Sequence, residues 1–310
     1  MKMNVKPQIL YFTAGILVAL LIITQLAFND NKEKKSETTV QKEILPYKWY
    51  TPKVPDSLSF AGEPVPLHRW DVREEMDRQL LFNYYWQNNI LYIMKLANRY
   101  FPVIEERLRA NGVHEDFKYL CVAESNLQHA ISRVGAVGFW QFMSYTAPGY
   151  NLEITSEVDR RYDVSRSTDA ACQYLKQAHA KFGSWTAAAA SYNCGQGGYN
   201  AQASFQKTTN YYDLLLPQET SRYVFRILTF KYLMENAKEM GYLLEQEDLY
   251  PEFKIRTITV TSTIPNLADF AIRNGITYKM LKLYNPWLRS KSLVVRPGKS
   301  FLITLPAGND

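Results

Sequence analysis

One glutamate, Glu124, occupies a helix position at which an apolar residue is expected. Residues 115–125, EDFKYLCVAES, are predicted to form a helix whose inward stripe contains Phe117, Leu120 and Cys121 at positions i, i+3 and i+4. The next position on that stripe, i+7, is Glu124. Burying a charged carboxylate is costly, so the pKa of this group is expected to rise. A carboxyl group that stays protonated near neutral pH is what acid catalysis of glycoside cleavage requires.

The motif that follows this helix combines flexible backbone with a polar side chain. A loop rich in small residues at 132–138 precedes the sequence FWQFM at 139–143. Its glycines let backbone approach a flat sugar ring closely, and Gln141 offers a donor and an acceptor for hydroxyl and N-acetyl groups. Ser125, beside the glutamate, either orients the carboxyl group through its hydroxyl or is an ordinary helix-end serine.

Two further motifs contribute tyrosines and polar side chains. The sequence ASYNCG stands at 190–195, and LPQETSRY stands at 216–223. Glu219 and Tyr223 are four residues apart, so they share one helix face and are expected to point into the same cleft. In the absence of other motifs, they would be interpreted as a surface glutamate and a packed tyrosine.

In this order the four motifs resemble the catalytic domain of the soluble lytic transglycosylases, most closely the membrane-bound lytic murein transglycosylase D branch. The resemblance extends over residues 69–242. It implies a mainly α, lysozyme-like fold, which agrees with the lack of a strand pattern in this region. It also implies Glu124 as the catalytic residue and a set of substrate-binding residues: Ser125, Gln141, Met143, Tyr192, Asn193, Glu219 and Tyr223.

The resemblance implies a reaction on peptidoglycan glycan strands that needs one carboxyl group, no cofactor and no metal. Glu124 would protonate the oxygen between N-acetylmuramic acid and N-acetylglucosamine. It would then accept the proton of the muramoyl C6 hydroxyl, which closes a 1,6-anhydro ring without consuming water. Exclusion of water and placement of the C6 hydroxyl therefore decide the product.

Two alternatives remain open from the sequence. The first is a lysozyme-type hydrolase, which needs a second carboxylate; the candidates after the Gln141 motif are Glu153, Glu157, Asp159 and Asp163. The second is a non-catalytic protein that binds the cell wall, which the presence of Glu124 disfavours.

The N-terminal part of the chain predicts a membrane anchor. Residues 9–28 carry no charge and are long enough to cross a bilayer, so residues 1–28 are expected to anchor the chain in the inner membrane. A proline-studded linker is expected over 29–66 and the catalytic domain over 67–250, in the periplasm. The net charge of +6 is dispersed, and nothing in its pattern indicates nucleic-acid binding.

Several helix boundaries follow from local signals in the predicted catalytic domain. Residues 71–111 have a helical pattern in which Pro102 is expected to open a new helix. Ser167 and Thr168 are expected to cap a helix that ends at Gly183, and Ser184 is expected to start a short helix after it. A final long helix is expected over 218–239.

The composition changes after residue 251, where a small α+β module is predicted. Residues 253–261 alternate with period two and indicate a strand, two short helical segments follow, and a closing strand is expected near 300–305. This β-α-α-β order over 251–310 resembles a LysM peptidoglycan-binding module. The turn after its first strand departs from the usual pattern at 262–265, so a docking or structural role is also open.

Cysteine and histidine usage argues against a disulfide framework and against a metal site. The three cysteines are scattered and are best interpreted as small buried thiols. The four histidines have no ligand-like spacing. Residues 159–163 contain alternating charges that predict a salt-bridged turn.

Overall fold

The computed structural model describes residues 50–308, which are mainly helical. A short hairpin comes first, made of β1 (Ser59–Phe60) and β2 (Glu63–Pro64). The helical domain then contains α1 (Trp70–Tyr84), α2 (Gln87–Ala110), α3 (Phe117–Ser125), α4 (Val164–Phe182), α5 (Trp185–Gln206) and α6 (Gln218–Glu235). The C-terminal module consists of β3 (Ile255–Val260), α7 (Leu267–Arg273), α8 (Tyr278–Tyr284) and β4 (Phe301–Pro306).

The predicted membrane anchor, residues 1–28, lies outside the described part of the chain, as does most of the predicted linker. Within residues 50–308, none of the helices has both the length and the apolar character that a membrane crossing needs. The end of the predicted linker is packed on the helical domain. Phe60 is fully buried beside Phe117, and the Glu63 carboxylate accepts hydrogen bonds from the backbone N–H groups of Trp185 and Thr186 at the start of α5.

Helix α3 lies at the centre of the helical domain and packs against α6 and α2. Its predicted apolar stripe is confirmed, since Phe117, Leu120 and Cys121 are fully buried. Helices α4 and α5 pack closely because the alanines at 187–190 are fully buried and add little bulk to the contact. The boundary between α4 and α5 was also predicted correctly: Gly183 ends one helix in the left-handed conformation, and the Ser184 hydroxyl caps the next.

Two predicted helix starts are wrong. Pro102 lies inside α2 instead of opening a helix, because the buried face of this long helix continues on both sides of the proline. Helix α4 begins after Asp163, whose carboxylate accepts a hydrogen bond from the Arg166 backbone N–H. The Ser167 hydroxyl instead donates to the Asp163 carbonyl within the helix, at 2.7 Å. The last helix, α6, ends at Glu235, four residues before its predicted end.

The C-terminal module has the predicted β-α-α-β order. Strands β3 and β4 pair antiparallel in a register that runs from Ile255 opposite Pro306 to Val260 opposite Phe301. The buried apolar cluster of the module includes Leu267, Leu281 and Ile303 and extends to Val158 of the helical domain. The structure therefore describes a mainly α domain followed by a small two-stranded module.

The C-terminal module is docked on the loop between α3 and α4. Val158 and Leu288 form a bridge between the two segments, in which the Asp159 N–H donates to the Trp287 carbonyl at 2.9 Å and the Arg289 N–H donates to the Glu157 carbonyl at 2.7 Å. Val158 and Leu288 are both buried in the cluster that the module shares with this loop. The module is thus packed against the segment that follows the Gln141 motif.

Candidate active site

Glu124 lies in the last turn of α3, where the helix ends at Asn126 in the left-handed conformation. Its side chain is half-buried, and its carboxyl Oε1 accepts a short hydrogen bond from the Tyr223 hydroxyl on α6. Tyr223 is fully buried, so the packing of α3 on α6 determines this contact. The structure thus brings together two of the residues that were predicted from different motifs.

The environment of Glu124 favours its protonated form. Burial raises the pKa of the Glu124 carboxyl to about 7, although the Tyr223 hydrogen bond and the positive charge of Arg226 act in the opposite direction. The negative charge of Glu219 adds to the upward shift of this pKa. A carboxyl group with a pKa near 7 can donate a proton and accept one at neutral pH, as a single acid-base residue must.

Helix α5 contributes Tyr192 and Asn193 just before a break in its helical geometry. Gly195 has φ 74° and ψ 149°, which interrupts the helix immediately after the predicted motif. The Tyr192 hydroxyl donates to the Trp140 carbonyl at 2.8 Å, which holds the first half of α5 on the Gln141 loop. The Asn193 Oδ1 accepts a hydrogen bond from the Thr220 hydroxyl at 2.8 Å, so the amide is oriented by α6.

The loop that contains Gln141 is held by internal hydrogen bonds. The Gln141 Nε2 donates to the carbonyls of Ala130 and Gly138, at 3.1 and 2.7 Å, which leaves its Oε1 as an acceptor. Gly138 has φ 84°, and a Cβ atom there would lie 2.0 Å from the Arg161 carbonyl oxygen. Only glycine fits this position without a backbone shift. Arg161 also donates to the Phe142 carbonyl at 3.1 Å, which fixes the far end of the loop.

Ser125 and Met143 make less direct contacts. The Ser125 hydroxyl donates to the Cys121 carbonyl at 3.3 Å, the bond of an ordinary helix-end serine. Met143 is half-buried at the end of the Gln141 loop, and its carbonyl accepts the N–H groups of Thr146 and Ala147. Substrate contact by Ser125 and Met143 stays a prediction.

Glu219 forms an ion pair with a residue that the sequence reasoning missed. Its carboxylate, 62% exposed, lies 3.1 Å from the Arg226 Nη2, and the Arg226 guanidinium is 5.4 Å from the centre of the Tyr223 ring. The Arg226 Nε is buried without a hydrogen-bond partner in residues 50–308. The spacing contained a signal for this arginine, because Glu219, Tyr223 and Arg226 follow one another at i, i+4 and i+7.

The four acidic residues considered as a second carboxylate are engaged elsewhere. Asp159 pairs with Arg161 at 2.7 Å and Asp163 pairs with Arg160 at 2.8 Å, which confirms the predicted salt-bridged turn. The other two also have partners outside the Glu124 site: Glu153 with Lys299 at 3.4 Å, and Glu157 with the Thr155 hydroxyl at 3.3 Å.

The cysteines and the possible metal ligands in the described residues do not form a second reactive site. Cys121, Cys172 and Cys194 are all free, and the first two are buried. Burial raises the pKa of the Cys121 and Cys172 thiols, so both remain protonated. Between residues 50 and 308, no group of three or more His, Cys, Asp or Glu side chains is arranged to hold a metal ion.

Comparison with known proteins gives matches for both the helical domain and the C-terminal module. Residues 102–214 match the family described as transglycosylase SLT domain, and residues 256–309 match the soluble lytic transglycosylase C-terminal LysM-like domain. Membrane-bound lytic murein transglycosylase D of Escherichia coli (strain K12) is 29% identical over 203 residues, and so is the protein of that name from E. coli O6:H1 (strain CFT073 / ATCC 700928 / UPEC). The match covers 64% of this chain and 44% of each relative, so the chain spans less than half of their length. The chain thus contains a transglycosylase SLT domain, whose matched residues include Glu124 and end nine residues before Tyr223, followed by a LysM-like C-terminal domain.

Proposed function

We propose that this chain is a lytic transglycosylase that cleaves the β-1,4 bond between N-acetylmuramic acid and N-acetylglucosamine in peptidoglycan. The proposal depends on one observation, the half-buried Glu124 carboxyl that is bound by the Tyr223 hydroxyl and whose pKa is raised to about 7 by burial. The names of the relatives, lytic murein transglycosylases, support the same substrate class.

The proposed reaction uses the two protonation states of Glu124 in turn. The protonated carboxyl donates to the bridging oxygen, and the acetamido group of the substrate relieves the positive charge that develops on the sugar. The resulting carboxylate accepts the proton of the muramoyl C6 hydroxyl, whose oxygen then closes the 1,6-anhydro ring. The Tyr223 hydroxyl stabilises the carboxylate between these steps, since a hydrogen bond to the charged form lowers its energy.

The remaining site residues bind and position the glycan. In the proposal, the Gln141 Oε1 accepts a hydrogen bond from the substrate, because both amide N–H bonds are already used within the loop. The Asn193 Nδ2 donates to the substrate, because Thr220 occupies the Oδ1. Tyr192 holds the wall of the cleft, while Ser125 and Met143 border the reacting sugar.

A hydrolase on the same site is the second candidate, and one observation favours it. The charge of Glu219 acts on the Glu124 carboxyl, which makes Glu219 the acidic residue to test as a second carboxylate. Its ion pair with Arg226 and its 62% exposure favour a supporting role instead.

The mass of the products distinguishes the two reactions. Purified peptidoglycan is digested with the full chain, and the released fragments are analysed by mass spectrometry. We expect fragments that end in 1,6-anhydro-muramoyl groups, one water lighter than reducing ends. The Glu124→Gln variant should release fragments with neither kind of end. The Glu219→Gln variant should still release fragments that end in 1,6-anhydro-muramoyl groups. Reducing ends from the wild type that disappear in Glu219→Gln would support the hydrolase and reject our proposal.

We further propose that the chain acts at the inner membrane, with residues 1–28 as a single-pass anchor, 29–66 as the linker, and domains 67–250 and 251–310 in the periplasm. The support is the uncharged apolar run at 9–28 together with the word "membrane-bound" in the names of the relatives. Cell fractionation tests this proposal: the full chain should sediment with membranes, and a variant without residues 1–28 should not.

A further inference from the structure

A cavity lies where the C-terminal module meets the helical domain. It has a volume of about 580 Å³, within the ~300–1,000 Å³ range of small-molecule sites, and such sites are common between domains. Its walls include Arg99, His129 and Arg166 of the helical domain, and Thr257 and Thr304 on the sheet of the module. None of the proposed active-site residues lines it, and neither does the atypical turn at 262–265.

The cavity has spare positive charge. Arg166 is exposed, and its guanidinium makes no ion pair in the part of the chain that the structure describes. Arg99 likewise has no carboxylate partner between residues 50 and 308; its Nε donates to the Pro251 carbonyl at 3.0 Å. The third arginine of the wall is neutralised, since Arg160 pairs with Asp163 at 2.8 Å. Two carboxylates line the cavity, and Asp163 is the partner of Arg160, so only Glu252 stands against the two arginines without ion pairs and a negatively charged group is favoured here.

The half-buried imidazole of His129 also borders the cavity. The Nδ1 of His129 is buried and has no hydrogen-bond partner in residues 50–308, while its ring packs on Phe139 and Tyr162 at 4.8 and 5.9 Å. Burial lowers the pKa of His129 to about 4, so the ring is neutral at pH 7 and can exchange hydrogen bonds with a hydroxyl group. A neutral imidazole at the wall of the cavity reports on a bound ligand without adding a charge of its own.

Hydroxyl and aromatic groups complete the wall. Hydroxyls from both modules line the cavity, at Ser165 and Ser300 as well as on the two sheet threonines, and the exposed Phe253 contributes an aromatic surface. Hydroxyl hydrogen bonds, an aromatic surface and an unpaired guanidinium together match a sugar that carries a carboxylate. We propose that this cavity binds such a sugar acid, of the N-acetylmuramic acid type, independently of the catalytic cleft. The choice of this sugar rests on the proposed function; the site itself does not.

The imidazole of His129 gives a direct measurement. The full chain has four histidines, so ¹⁵N-histidine labelling yields few side-chain signals, and the variant His129→Gln identifies those of His129. N-acetylmuramic acid is titrated into labelled Glu124→Gln protein, which excludes turnover. We expect a saturable shift of the His129 nitrogens. N-acetylglucosamine, which lacks the carboxylate, should bind about tenfold more weakly, because a charge-assisted hydrogen bond is lost.

A matched pair of arginine variants locates the carboxylate. Arg166→Gln should weaken the binding of N-acetylmuramic acid about tenfold, whereas Arg273→Gln, an exposed arginine of α7 outside the cavity, should leave it unchanged. The absence of a saturable shift at His129, or equal affinities in the two variants, would overturn the proposal. The peptidoglycan digest reports on catalysis separately. A normal His129 response without anhydro products would reject the proposed function alone, and anhydro products without the response would reject this cavity site alone.

Discussion

The two ends of helix α3 each place a carboxyl group against helix α6, and the two groups have opposite surroundings. At the start of the helix, the buried Asp116 lies 2.9 Å from the Lys231 ammonium and accepts the Ala61 backbone N–H at 2.8 Å. At its end, Glu124 has only the Tyr223 hydroxyl as a direct partner in the described residues. The same pair of helices therefore builds a compensated ion pair at one end and a carboxyl group that retains its proton at the other.

This difference shows how the partner on α6 selects the role of a buried acid. Burial alone lowers the pKa of Lys231, yet its hydrogen bonds with Glu235 and Asp116 outweigh that effect and raise it, so the ammonium stays charged. A compensated pair of this kind is costly to break, and it is chemically inert at neutral pH. A phenol cannot supply a full positive charge, so the Glu124 carboxyl remains able to exchange its proton near pH 7.

The largest effect is expected on activity when Glu124 is replaced. Glu124→Gln keeps the shape and the acceptor for Tyr223 but removes the proton donor and base, so kcat on soluble glycan fragments should fall by about 10³-fold or more. Release of anhydro fragments measures this loss. Asp116→Asn, the same chemical change at the other end of the helix, should retain most of the activity of the protein that remains folded. Equal losses in the two variants would contradict the comparison.

The second largest effect is a loss of stability, and it is expected for Asp116→Asn at the start of helix α3. Asp116→Asn leaves the buried Lys231 ammonium with only the half-exposed Glu235, so the free energy of unfolding should fall by about 3 kcal/mol. Urea denaturation measures this change. Glu115→Gln is the matched control, because its exposed pair with Arg109 should contribute less than about 1 kcal/mol. A loss of similar size in both variants would remove the distinction between buried and exposed partners.

Glu124→Gln should also raise stability, and only at higher pH. The pKa of Glu124 is raised from 4.5 to about 7 in the folded protein. The free energy of unfolding of the wild type is therefore highest below pH 4.5, where the group is protonated in both states, and it falls as the pH increases through about 7. We expect the variant to be more stable than the wild type by about 1–3 kcal/mol at pH 8, and by less than about 1 kcal/mol at pH 5. Thermal denaturation at the two pH values tests this, with Glu115→Gln, at an exposed position, as the control. A pH-independent difference would contradict the raised pKa.

The smallest effect is expected from the phenol. Tyr223→Phe removes the hydrogen bond that lowers the pKa of Glu124, so this pKa should rise above about 7 and the alkaline limb of kcat/KM should move to higher pH. The rate at pH 7 should fall about tenfold, because the carboxylate is less stabilised. Tyr199→Phe removes an equally buried hydroxyl that donates to the Thr209 carbonyl, and its pH profile should match the wild type. A limb that stays in place in Tyr223→Phe would show that Glu124 is not the titrating acid.

Much of the fold was accessible from local patterns. The apolar stripe of α3, the stop at Gly183 and the cap at Ser184 are short-range properties, and the structure agrees with each of them. The local patterns misplaced two helix starts. Pro102 does not start a helix because it is accommodated within the packed helix α2, and α4 starts earlier than predicted because its cap comes from Asp163. Local propensity was outweighed at both positions, by burial in one case and by a competing side chain in the other.

Some residues of the candidate site could be predicted from the sequence, and others could not. Types and spacing of residues singled out Glu124 and Gln141, and the resemblance to the lytic transglycosylases added Tyr192, Asn193 and Tyr223 as predicted site residues. Neither Arg226 nor the pair of Asp116 with Lys231 was found, because these contacts join segments about 100 residues or more apart, or depend on which helix face is buried. The docking of Leu288 against Val158 and the cavity beside it could not be predicted from the sequence either, since both arise only where the C-terminal module contacts the helical domain.

The sequence by itself determined which helix contains the acid, because a carboxylate on an apolar stripe is readable from a period of 3.6 residues. Only the tertiary structure decided that this acid faces a phenol while Asp116, eight residues earlier, faces an ammonium. The physical reason is that a pKa depends on desolvation and on nearby charges, both of which are supplied by residues remote in the chain and brought together by packing.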